Sequence, residues 1–186
     1  MNHLLLFPGA GSASTHPSLL AIESAVAPMP CVRADFPYRL AGRTAPDRAP
    51  VLLQAVREQA APLLAAASGG DGLILGGRSM GGRICSLAVG DATDPLPALG
   101  LVLICYPLHP PGKPERLRTE HFPRLSVPCL FISGTRDAFG TPEELVQWTT
   151  TIPGPVTHRW MEGKGHELKG CDQEIAAFVA AWVSAL

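Results

Sequence analysis

Ser79 lies in a G-x-S-x-G pattern formed by residues 77–81. The pattern follows a short apolar segment, residues 72–75, and precedes a segment with helical character, residues 80–89. In this setting it predicts a nucleophile elbow, a tight strand-to-helix turn that aims the serine hydroxyl outward. Side chains at Gly77 and Gly81 would collide with such a turn. A glycine-rich loop before a helix is the alternative, but no Lys follows the glycines as a phosphate-binding loop requires.

A base and an orienting acid for this serine are available downstream. A serine hydroxyl is a weak nucleophile at neutral pH, so it needs a base that is itself held by a carboxylate. Asp137 comes after the apolar segment 128–133, and His166 comes after segment 156–161. The order Ser79, Asp137, His166 is one that serine-hydrolase triads use. The alternatives are that Asp137 only caps the turn before Thr141 and that His166 is a surface histidine before the last helix.

A tetrahedral intermediate would also need two N–H donors for its oxyanion. The amide of Met80 directly follows the nucleophile, at a helix N-terminus with partial positive charge. The second donor is expected in the loop after the first apolar segment, with Ala10 favoured and Gly11 next. The small residues of that loop let its backbone approach closely; a flexible turn without this role is the alternative.

Three further residues are candidates for substrate contact: Arg78, Tyr106 and His109. Arg78 could attract a carboxylate or phosphate, although a structural pair with Asp35 or another acid is favoured. Tyr106 and His109 lie on the segment 106–114, whose four prolines predict a stiff loop rather than a mobile lid. For His109, satisfaction by the backbone is the favoured alternative. The short loop predicts a shallow, open site.

The elements that must position these residues alternate along the chain. Short apolar segments at 4–7, 30–34, 72–75, 99–105, 128–133 and 156–161 predict six strands, mostly covered on both faces. Helix candidates are residues 17–27, 47–67, 80–89, 142–150 and 172–185, with start signals at Thr15 and Thr141. Pro62 is expected to kink or split the second helix. The order predicts an α/β fold, a three-layer α/β/α sandwich with a mostly parallel sheet.

Composition excludes several classes of protein. The 186 residues are 46% hydrophobic and 17% charged, with a formal net charge of −1, so we expect one globular domain over residues 1–186 and no binding of nucleic acid or an anionic membrane. The five scattered cysteines lack the spacing of a zinc site and favour reduced, buried thiols. The N-terminus lacks a signal-peptide pattern. We therefore expect a cytoplasmic protein without metal or organic cofactor; its oligomeric state stays open.

The motifs resemble those of the α/β-hydrolase fold. More narrowly, residues 8–11, His16-Pro17, residues 35–38, the elbow and residues 106–109 resemble the small family that includes testis-expressed protein 30 and subunit 3 of the NSL chromatin complex, and more distantly the dienelactone hydrolases. The resemblance implies a minimal hydrolase core without a cap domain, in a family whose substrates are largely unassigned and in which some members are protein-binding scaffolds. One departure is that Phe7-Pro8 stands where the family's first loop begins His-Gly.

These observations predict a serine hydrolase that cleaves a small carboxylic ester or thioester through an acyl-enzyme intermediate. His166 would be the base, Asp137 its orienting acid, and the partner a small acyl substrate. One alternative is a catalytically weak α/β-hydrolase fold that serves as a protein-interaction module. Another is an acyltransferase that uses the same triad.

Overall fold

The six apolar segments form one parallel sheet. The computed structural model describes residues 1–67 and 69–186. Its strands are β1 (His3–Phe7), β2 (Cys31–Arg33), β3 (Leu73–Arg78), β4 (Gly100–Ile104), β5 (Cys129–Gly134) and β6 (Val156–Met161). They lie in the order β2-β1-β3-β4-β5-β6, and each neighbouring pair is parallel. The predicted fold class is therefore confirmed, with six strands where about six were expected.

Helices cover both faces of this sheet, as its continuously apolar strands predict. The helices are α1 (Pro17–Val26), α2 (Pro37–Leu40), α3 (Ala49–Ala66), α4 (Met80–Val89), α5 (Pro142–Thr149) and α6 (Asp172–Val183), and a short 3-10 helix spans Phe122–Arg124. Alternate strand residues separate the core into two clusters. Leu5, Leu75 and Leu103 pack with α3, α4 and α5, whereas Leu4, Ile74 and Val102 pack with α1 and α6.

Pro62 lies inside α3 without splitting it. Proline lacks the N–H that a helix interior uses, so a kink or a split was expected. The residue is exposed on the outer face of the helix. There the carbonyl left without a partner remains open to water, so the helix continues.

The ends of two helices have well-defined caps. The cap of α1 is His16 rather than the expected Thr15: the imidazole Nδ1 accepts a hydrogen bond from the Ser18 amide at 3.2 Å. The predicted cap of α5 is confirmed as a capping box between Thr141 and Glu144. None of the helices in residues 1–67 and 69–186 is long and apolar enough to cross a bilayer.

Candidate active site

The turn between β3 and α4 holds Ser79 in a strained conformation. Its backbone has φ 50° and ψ −116°, in a region that residues other than glycine rarely occupy. A Cβ at Gly77 or Gly81 would collide with the carbonyl oxygen of Phe7 on the neighbouring strand. Glycine is therefore required at both positions because two backbones pass close together there. The result is a side chain held at the carboxyl edge of the sheet.

The structure brings the side chains of Ser79, Asp137 and His166 together. The Ser79 Oγ lies 2.9 Å from His166 Nε2. On the other side of the ring, His166 Nδ1 lies 2.8 Å from Asp137 Oδ2 and 3.0 Å from Oδ1. In the tautomer with the proton on Nδ1, that N–H donates a hydrogen bond to the Asp137 carboxylate, and Nε2 is free to accept the serine proton.

Asp137 is placed by its own loop. Its carboxylate is buried, with 3% of the residue exposed, and Oδ1 also accepts a hydrogen bond from the Phe139 amide at 2.8 Å. The ring of Phe139 lies on the imidazole of His166, with 4.1 Å between ring centroids. The segment after β5 thus holds His166 in two ways: the Asp137 carboxylate binds Nδ1, and the Phe139 ring packs against the imidazole.

The loops that carry Asp137 and His166 are joined to each other. The Arg136 amide donates to the Lys164 carbonyl at 2.8 Å, and the Gly163 amide donates to Thr135 Oγ1 at 2.8 Å. A side chain at Gly134 would strike the Lys164 carbonyl. This close approach fixes the distance between the acid and the base.

Arg78 supports the histidine loop from inside the protein. The residue is 4% exposed, and its Nη2 donates hydrogen bonds to the carbonyl oxygens of His166 and Glu167. The Glu167 carboxylate lies 3.5 Å away. The expected structural pair exists, with Glu167 rather than Asp35, whose carboxylate accepts from Ser14. These contacts support a positioning role for Arg78, while its Nη1 has no hydrogen-bond partner among the described residues and substrate contact by Arg78 stays a prediction.

The two predicted oxyanion donors flank Ser79. Met80 is the first residue of α4, where no preceding turn supplies an acceptor for its amide. Ala10 lines the cavities next to Ser79 on both sides, and its amide donates no hydrogen bond to any described residue. Gly11 lies further out and is exposed. Met80 and Ala10 are therefore the better placed pair.

Tyr38 is a residue of this site to which the sequence interpretation gave no role. Its buried hydroxyl donates a hydrogen bond to the Ala10 carbonyl at 2.8 Å. This contact fixes the peptide between Ala10 and Gly11, one of the candidate oxyanion segments. The separation of 28 residues between Tyr38 and Ala10 leaves no local pattern that could have predicted it.

Neither His109 nor Tyr106 lines the space around Ser79. The His109 ring is buried, with Nδ1 2.9 Å from the Pro110 carbonyl and Nε2 3.3 Å from Glu144 Oε2. Tyr106 is 1% exposed and donates to the Arg118 carbonyl at 2.6 Å. Their positions do not support substrate contact, because both side chains are turned into the protein, where the backbone and Glu144 satisfy them.

Two cavities open on either side of Ser79, and both include Ala10 and Phe139 in their walls. We call the first, of about 290 Å³, the histidine cavity; its other lining residues include His16, Arg78, His166 and Glu167. We call the second, of about 350 Å³, the α4 cavity; its other lining residues include Leu52, Met80, Arg83, Ile84 and Arg118. A substrate carbonyl at Ser79 can extend one substituent into each cavity.

Cys105 brings a thiol close to the acid and the base. Its sulfur and the polar atoms of Asp137 and His166 lie within 4.8 Å of one another. This donor set does not fit a metal ion. Both imidazole nitrogens are engaged with Asp137 and Ser79, and burial raises the pKa of the Cys105 thiol to about 12, whereas a metal requires the thiolate.

Comparison with known proteins agrees with this geometry. The sequence of residues 1–180 matches the family described as "Alpha/beta hydrolase domain". Among solved structures, the chain is similar to Est1E from Butyrivibrio proteoclasticus, with a TM-score of 0.77 at 12% identity, over 99% of this chain and 87% of that one.

Two further solved structures have the same fold. One is an alpha-beta serine hydrolase homologue from Coxiella burnetii, with a TM-score of 0.75 at 17% identity, covering 98% of this chain and 85% of that chain. The other is a protein from Xanthomonas campestris pv. campestris assigned to the alpha/beta superfamily of hydrolases, with a TM-score of 0.73 at 19% identity, covering 100% of both chains. At these identities the similarity establishes the fold.

Proposed function

Because the chain belongs to the alpha/beta hydrolase domain family, we propose that it is a serine hydrolase that cleaves a small carboxylic ester or thioester. The observation that carries the proposal is the unbroken hydrogen-bond chain from Ser79 through His166 to Asp137, with spacings of 2.9 and 2.8 Å. Within the family, the motifs favour a place near the group of testis-expressed protein 30, whose substrates are largely unassigned.

The first half of the reaction forms an acyl-enzyme. His166 Nε2 takes the proton of the Ser79 hydroxyl as Oγ attacks the carbonyl carbon, and the amides of Met80 and Ala10 hold the resulting oxyanion. Asp137 keeps the ring in one tautomer and stabilises the imidazolium. When the tetrahedral intermediate collapses, His166 gives the proton to the leaving alcohol or thiol, and the acyl group stays on Ser79.

The second half releases the acid. A water molecule loses its proton to His166 Nε2 as its oxygen attacks the ester carbonyl on Ser79, and a second oxyanion forms in the same place. Collapse returns the proton from His166 to Ser79 and frees the carboxylic acid.

Profiling short-chain 4-nitrophenyl esters and acyl thioesters against the wild type and Ser79→Ala tests the proposal. We expect turnover of at least one series by the wild type and its loss, by several orders of magnitude, in the variant. A folded wild-type protein inert toward both series would instead favour a protein-interaction module. Product analysis with added alcohol distinguishes hydrolysis from acyl transfer, because a transferase would form the new ester in preference to the free acid.

A further inference from the structure

Two arginines line the α4 cavity, whose other walls are mostly apolar apart from Asp47 and Ser79. Arg83 lies on α4 and Arg118 on the segment between β4 and β5, and both line the cavity together with Leu52 and Ile84. Arg83 is one helical turn beyond Ser79, about 6 Å along the helix axis. Since helical side chains lean toward the N-terminus, Arg83 leans toward the elbow.

Neither arginine forms an ion pair with an acidic side chain among the residues that the structure describes. The Glu120 carboxylate acts on Arg118 only as a charge outside ion-pair distance, and its effect is smaller than that of Arg83. Arg83 makes no ion pair or side-chain hydrogen bond there, and its Nε is buried without an acceptor. Arg118 donates one long hydrogen bond from Nη1 to the Pro107 carbonyl, at 3.3 Å. The acidic residue in the cavity wall, Asp47, is held by both terminal nitrogens of Arg43, at 2.7 and 3.1 Å.

The two arginines also act on each other. Burial, and after it the positive charge of Arg83, lowers the pKa of Arg118. The backbone of Arg118 is nevertheless fixed in place: its carbonyl accepts from the buried Tyr106 hydroxyl at 2.6 Å, and its amide donates to the Leu108 carbonyl at 2.9 Å. Two like charges held in a partly buried cavity are unfavourable unless an anion joins them. A carboxylate matches the planar fork of a guanidinium.

The route of the proton to the leaving group decides whether the acyl chain or the leaving group occupies the α4 cavity. The leaving group must lie within reach of His166, which supplies its proton. His166 lines the histidine cavity and not the α4 cavity. The leaving group therefore belongs in the histidine cavity, and the acyl chain extends along α4.

From these observations we propose that the substrate's acyl chain ends in a carboxylate, which Arg83 and Arg118 bind together. The substrate class is a half-ester or half-thioester of a short dicarboxylic acid. This inference rests on the proposed function for its orientation and for the identity of the bond that is cleaved. The anion site itself is a property of the two arginines.

The kinetic test compares 4-nitrophenyl hemiadipate with the 4-nitrophenyl ester of adipic acid monoamide, which has the same length and no charge. Ser79→Ala supplies the background rate. We expect the wild type to prefer the anionic ester by about tenfold or more in kcat/KM, mostly through KM. Arg83→Gln and Arg118→Gln should each lower this ratio about tenfold, whereas Arg83→Lys should retain part of it.

Arg116→Gln is the matched control, because Arg116 is exposed on the same segment as Arg118. It removes one positive charge outside the cavity and should leave the ratio unchanged at physiological salt, where exposed charges are screened. Equal kcat/KM for the anionic and neutral esters, or a ratio that falls as much in Arg116→Gln as in Arg83→Gln, would overturn the inference.

A binding measurement separates this inference from the proposed function. Calorimetric titration of folded Ser79→Ala with adipate should give a dissociation constant that Arg83→Gln weakens about tenfold or more. Adipate binding by a protein that cleaves no ester would contradict the hydrolase and retain the anion site. Ester cleavage without adipate binding or a preference for the anionic ester would contradict the anion site and retain the hydrolase.

Discussion

The guanidinium of Arg78 donates a hydrogen bond to the backbone carbonyl of His166, at 3.2 Å. The residue that precedes Ser79 in the sequence therefore supports the loop that carries His166. This contact links the elbow to a segment 88 positions away. The geometry between Ser79 and His166 therefore depends on a side chain that belongs to neither residue.

Replacing Arg78 should lower turnover more than binding. We expect Arg78→Met to reduce kcat by about 10- to 100-fold with KM changed by less than about threefold, because a shift of the histidine by about 1 Å is costly for proton transfer. Arg78→Lys, which can still donate to a loop carbonyl, should recover part of kcat. Steady-state kinetics on a 4-nitrophenyl ester measures both quantities. An equal loss of kcat in Arg78→Met and Arg78→Lys, or a change confined to KM, would argue against a positioning role for Arg78.

Gly77 should tolerate no side chain. In Gly77→Ala the new Cβ would meet the Phe7 carbonyl, and the Gly82 amide nitrogen would lie 3.0 Å away, so we expect a loss of about 3 kcal/mol or more in the free energy of unfolding. Urea denaturation measures it. Gly11→Ala is the matched control for stability, because a Cβ there has no atom within 4 Å; it should change stability by less than about 0.5 kcal/mol. Similar losses in both variants would contradict the packing at the elbow.

The buried His121 should lower the free energy of unfolding when the pH falls from 7 to 5. Burial, followed by the positive charges of Arg83 and Arg124, lowers its pKa to about 3, whereas the unfolded chain has a pKa of about 6.5 at this residue. Between pH 7 and pH 5 the unfolded chain binds a proton that the folded protein does not, so the free energy of unfolding falls by about 2 kcal/mol from this residue alone.

His121→Gln isolates that contribution. It keeps an amide that can hydrogen-bond with Ser86, the partner of the imidazole at 2.8 Å, and it removes the titration. Urea denaturation at pH 7 and pH 5 should show a fall in unfolding free energy that is smaller by about 2 kcal/mol in the variant than in the wild type. An identical fall in both proteins would mean that His121 binds a proton in the folded state.

The order of strands and helices was largely predictable from the sequence. Most of the strands are continuous apolar segments because helices cover both faces, and this pattern is readable without coordinates. The four-residue helix α2, Pro37–Leu40, was not predicted because one turn leaves no periodic pattern. Of the two outcomes expected at Pro62, a kink or a split of α3, the split does not occur; the tolerance of proline depends on which face of the helix meets water, which the local sequence does not give.

For the candidate site, chain order and strand ends predicted which loops meet but not what supports them. Ser79, Asp137 and His166 each follow a strand, and parallel strands bring their carboxyl ends to one edge. The position of Arg83 in the first turn of α4, directly after the elbow, was a usable signal that it lies near Ser79. Nothing local relates Tyr38 to Ala10 or Arg118 to Arg83, because those contacts join segments that are distant in the sequence.

The most direct test of the account is covalent labelling of the intact protein with a fluorophosphonate probe, followed by mass spectrometry. We expect one adduct on the wild type, located on Ser79, no adduct on folded Ser79→Ala, and labelling slowed by several orders of magnitude in His166→Ala. An adduct of undiminished yield on Ser79→Ala would contradict the assignment of Ser79 as the nucleophile.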